Sequence, residues 1–105
     1  MCKLDKYIEN NNGYIAKCCH SDTIQILYGN ILLAVNKNNF LKIINIVDNS
    51  KKQHQHITDL NQRIVVMNTQ ANGLYITMNI EELNEFSDML NETKFLIDVE
   101  DISFG

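Results

Sequence analysis

Two short clusters, Cys18-Cys19-His20 and His54-Gln55-His56, hold five of the six thiols and imidazoles in this chain. Thiolate and imidazole are the ligand types zinc prefers, and four of them close a structural site. On a strand, residues two apart share a face. Cys18 and His20 would therefore point together, as would His54 and His56 if their loop is extended, while Cys19 faces the other way. The candidate metal set is Cys18, His20, His54 and His56, with zinc as its cation. Its spacing matches no usual zinc signature, in which paired ligands stand at least two residues apart in a knuckle. The competing view, with no cofactor, makes the cysteines small strand residues beside loop histidines.

The same clusters would supply a Cys–His nucleophile oriented by Asp22 or Asp59. No glycine-rich or oxyanion-type loop accompanies them, and all four glycines serve turns or the terminus. That also leaves no loop to cradle a phosphate. No residue qualifies as catalytic on these grounds, and an enzyme is the less supported class. Lys51, Lys52, His54, His56 and Arg63 form a mildly basic patch without the interleaved aromatics on which bases stack. The net charge of -4 further disfavours nucleic acid.

The elements that must position these residues carry a stronger pattern. From Gly29-Asn30 the chain runs through apolar Ile31, Leu33 and Val35 to Asn36, then Phe40, Ile43, Ile46 and Val47. From Asn72-Gly73 it runs through Leu74, Ile76 and Met78 to Asn79, then Leu83, Phe86, Met89 and Leu90, each at one constant offset from its counterpart. Turn, strand, cap and helix stripe thus recur as an internal repeat. Two units exclude a solenoid.

Upstream, residues 4–9 and 14–18 read as strands around an Asn12-Gly13 turn, and 23–28 resumes in β-branched and aromatic residues. Asn36 and Asn79 read as N-caps, the second completed by Glu82 three residues on. The first helix should fade by residues 48–50, leaving 51–60 as loop. The second should end near 92–93, with 95–99 either strand or helix. The predicted fold is α+β: a two-layer sandwich of one antiparallel sheet with two helices on one face, built from two hairpin–helix units in a single domain, 1–105.

Composition sets the outer bounds. The chain has 105 residues, 45% of them hydrophobic, enough for a core without staples. No apolar run approaches a membrane span, and there is no leader-like start. Three cysteines, an odd number, then point to free thiols in a reducing cytoplasm. From residue 81 onward eight acids face Lys94 alone, so this part carries -7 and the remainder +3. An acidic helix face is ordinarily a solvated one; its sharper use is contact with a basic partner.

If Ile31, Leu33 and Val35 face the helices, Leu32 and Ala34 face away, as do Tyr75 and Thr77. A partly apolar open face marks a partner or dimer contact. The expected function is a small non-enzymatic binding or assembly module that self-associates, with the zinc protein as the alternative. The expected partner is a second copy or another protein, not a membrane.

The stretch Cys18-Cys19-His20 leading into Ile24-Gln25-Ile26-Leu27-Tyr28-Gly29-Asn30 resembles a family of small uncharacterised bacterial proteins with a Cys-containing turn before a strand ending in aromatic-Gly-Asn. The strand led by Arg63 and the acidic helix of residues 79–90 extend the resemblance over nearly the whole chain. It implies one cytosolic domain and no particular activity. The family's Cys pair is spaced, whereas Cys18 and Cys19 are adjacent, which weakens a metal role here.

Overall fold

The computed structural model describes residues 3–19, 21–59, 61–68 and 73–104, with side chains to residue 100. Six strands and two helices follow in the order β1 Leu4–Asn10, β2 Gly13–Cys18, β3 Ile24–Tyr28, β4 Ile31–Val35, α1 Lys37–Gln53, β5 Ile64–Asn68, β6 Tyr75–Met78 and α2 Ile80–Phe104. The α+β class is as expected. The strands divide into a four-stranded antiparallel sheet, order β1-β2-β3-β4, and a separate β5-β6 pair, so the sheet layer is in two pieces.

Local chemistry explains the turns. Asn10 Oδ1 accepts from the N–H groups of Asn12 at 2.8 Å and Gly13 at 3.0 Å, an Asx turn that closes the first hairpin. Gly13 is needed for close approach: a Cβ there would lie 1.8 Å from the Leu27 carbonyl oxygen of the neighbouring strand. Gly29 supplies the left-handed φ of +58° at the β3–β4 reversal. A bulge in β1 shifts the register between Lys6 and Ile8, at Tyr7, whose hydroxyl donates to Glu100 Oε2 of α2 at 3.1 Å.

Alternation sets the core. Ile15, Ile26 and Leu33 pair across three strands on the helix-facing side. They meet Phe40, Ile43, Ile44 and Val47 of α1, and Leu83, Phe86, Met89, Leu90 and Ile97 of α2, in one cluster with Ile64, Val66, Ile76 and Met78. Burying side chains of this size is worth roughly 1.5–3 kcal/mol each. Ile46 breaks the sequence parallel between the helices: it is 40% exposed, while its counterpart Met89 is buried.

Both helices outlast their expected ends. Lys51, Lys52 and Gln53 are good helix formers, and the two lysines suit the negative end of the α1 dipole, so α1 runs to Gln53. In α2 the buried stripe continues through Thr93 and Ile97 with no glycine or proline to stop it. The segment 95–99 is therefore helical.

Candidate functional site

Of the expected metal set, Cys18, His54 and His56 lie among the described residues. Cys18 ends β2, is buried, and its N–H donates to Thr23 O at 3.0 Å, closing the turn that follows. It is disulfide-bonded, which corrects the expectation of three free thiols and removes it, in this state, as a thiolate ligand. Cys19 is exposed and free. Its N–H donates to Lys3 O at 3.1 Å, and it lines a small cavity with Lys17, Tyr7 and Glu100. His20 lies outside the described residues.

His54 is the C-cap of α1, its N–H shared between Ser50 O and Lys51 O. Its Nδ1 lies 2.7 Å from Ser50 O. A carbonyl oxygen only accepts, so Nδ1 carries the hydrogen and Nε2 alone could ligate. Beside it are Ile80, Leu83 and Asn84 at the start of α2, whereas Cys19 neighbours Glu100 near its end. From Asn84 to Glu100 a helix rises about 24 Å. Cys19 and His54 thus stand at opposite ends of α2, and His56 is exposed. Among the described residues no three His, Cys, Asp or Glu side chains gather as a metal group would. Of the expected basic patch, Lys51 and Lys52 lie in the last turn of α1, and Arg63 bonds to Thr77 of β6.

Two surfaces remain. The first is the outer face of the four-stranded sheet. Leu32 is 60% exposed, Ala34 is exposed, and Leu27 is half-buried beside them. At its far side Lys6 Nζ meets Glu9 Oε2 at 2.7 Å and sits 5.5 Å above the Tyr14 ring, whose hydroxyl is 3.3 Å from Gln25 Oε1. The face is apolar at β4 and polar at β1.

The second is a groove of about 660 Å³ between β4 and β6. Leu32, Leu33, Leu74 and Met78 line it, with Arg63 and Glu82 among its charged residues. Arg63 Nε and Nη2 donate to Thr77 Oγ1 at 3.2 and 3.1 Å, and Nη2 also donates to Thr77 O at 3.0 Å. Nη1 stands 3.5 Å from Glu82 Oε1. The same Oε1 accepts from the Asn79 N–H, and Asn79 Oδ1 accepts from the Glu82 N–H, a complete capping box that fixes the carboxylate.

Tyr28, also in the groove wall, donates to Glu85 Oε1 at 2.7 Å. Burial, then the hydrogen bond and charge of Glu85, then the charge of Glu82, push its ionisation far above the usual tyrosine range. A phenol so held is a poor proton donor or nucleophile near neutrality. The groove depends on the hairpins forming two sheets, which strand periodicity does not reveal.

Fold and surfaces together define a small α+β protein whose described residues gather no metal cluster, and whose distinctive surfaces are a sheet face and a groove. The chain belongs to a family of unknown function (DUF6686), whose family model matches residues 1–105. Searches of curated proteins and of solved structures return no match. No helix among the described residues is long and apolar enough to cross a membrane.

Proposed function

We propose that the chain is a non-enzymatic binding and assembly module that forms a homodimer through the outer face of its four-stranded sheet. The observation that carries this is the exposure of Leu32 beside Leu27 and Ala34, an apolar strip at the centre of which no charge interrupts contact. Contiguous exposed apolar surface of this kind is covered by a partner more often than left to water. The polar Lys6–Glu9–Tyr14 margin supplies the rim such interfaces carry.

Light scattering on the purified chain should give twice the chain mass at high micromolar concentration. Ala34→Glu, at an exposed position on that face, should give a folded monomer, with dimerisation weakened by about tenfold or more. A wild-type monomer under the same conditions removes the proposal.

A further inference from the structure

We infer that the cavity between the start of α1 and the later turns of α2 binds a small zwitterion, a free aliphatic amino acid, with its carboxylate at Lys17 and its ammonium at Asp22. The site lies on the helix side of the sheet, away from the proposed dimer face.

Lys17 is the first observation. It shares a strand face with buried Ile15 and pairs across the sheet with buried Ile24, so its side chain leaves the sheet toward the helices. An ammonium on that side loses hydration and needs a partner to compensate. Here it is half-buried, and its side chain makes no ion pair or hydrogen bond among the described residues. Asp22, in the turn between β2 and β3, is the second. It lines the same cavity, and its carboxylate is likewise unpaired among the described residues. A cation and an anion thus line one cavity without meeting each other.

The rest of the lining is the third. The cavity measures about 400 Å³, within the range of small-molecule sites. Its other described charges are Lys37 and Glu100, the latter accepting from the Tyr7 hydroxyl. Two bases and two acids among the described lining residues sum to zero, so neither a lone cation nor a lone anion is favoured. A molecule carrying one charge of each sign satisfies both unpaired groups. Ile24 and Ile97 offer its aliphatic part an apolar surface. The positive end of the α1 dipole opens on the cavity at Asn36 and Asn38, with no acid in its first turn, and adds to the pull on the carboxylate.

The test titrates the isotope-labelled full chain with leucine, isoleucine and valine, following the amide resonances. Each amino acid is compared with the amine that lacks its carboxylate and the acid that lacks its ammonium. The expected result is saturable shifts at Lys17, Asp22, Ile24 and Asn38, with an apparent Kd of about 1 mM or below for at least one amino acid. Each half-molecule should bind about tenfold more weakly. Lys17→Met keeps the length of the side chain and should weaken the amino acid about tenfold while leaving the amine unchanged. Asp22→Asn should weaken it similarly while sparing the acid. The half-molecule comparison uses the unaltered chain, so it decides the matter even if a variant fails to fold.

No saturable shift with any of the three amino acids up to about 10 mM overturns the inference, as do half-molecules that bind as tightly as the parent. Ala34→Glu, on the opposite face of the sheet, should bind the amino acid as the unaltered chain does. Loss of the dimer and loss of this site are therefore read separately.

Discussion

Tyr28 shows how one side chain ties a strand, a turn and a helix together. Its ring packs on Phe86 at 5.2 Å between centroids, and its hydroxyl shares Glu85 Oε1 with Asn12 Nδ2, which lies 2.6 Å from it. The folded phenol stays protonated to higher pH than the unfolded one, which ionises near pH 10. The folded state therefore binds more protons above that pH, and stability falls as pH rises. The urea midpoint should be level on this account below about pH 10 and decline above it. Tyr28→Phe should cost about 1–2 kcal/mol at neutral pH and flatten the alkaline decline; an equally steep decline would show that Tyr28 is not its source. Cys18 offers a second test at this scale. If the chain works in a reducing cytoplasm, mass-tagged alkylation in intact cells should label Cys18 as well as Cys19. Protection of Cys18 alone would place the protein in an oxidising compartment. The disulfide was not legible because an odd cysteine count pointed away from it. The sequence marks Gly13 as a turn residue, whereas its requirement comes from the Leu27 carbonyl of another strand.

Elements were legible where periodicity and capping agreed. Strand alternation identified β1 to β6, and Asn36 and Asn79 cap the helices as their positions suggest, Asn36 Oδ1 accepting from the Asn39 N–H at 2.8 Å. Helix ends were not legible, because polar Lys51–Gln53 looks like loop although its residues favour helix, and the acidic α2 tail looks like a solvated face although packing holds it helical. For α2 that reason is buried Thr93 and Ile97. Asn79→Ala removes one half of the capping box at the start of this long helix and should cost about 1 kcal/mol. Chemical denaturation would show it as a lower midpoint at unchanged slope. A neutral result would mean that packing alone sets where α2 begins.

At the scale of the molecule, the α+β class was visible, and so was the placement of Leu32 and Ala34 on an outer face. The division into two sheets was not, because periodicity says which face a strand buries and nothing about which hairpins join. With that division went the groove, and with the length of α2 went the separation of Cys19 from His54. α2 is the element that spans these parts, packing against α1, β1, β2 and β6. Its 25 residues amount to about 37 Å, most of the 43 Å long dimension. The bond between Tyr7 and Glu100 joins residues 93 apart. During synthesis, then, the four-stranded sheet leaves the ribosome well before the helix that covers β1 and β2. Until α2 follows, Ile8 and Ile15 have no helix of their own to lie against, and the nascent chain must wait with that surface bare.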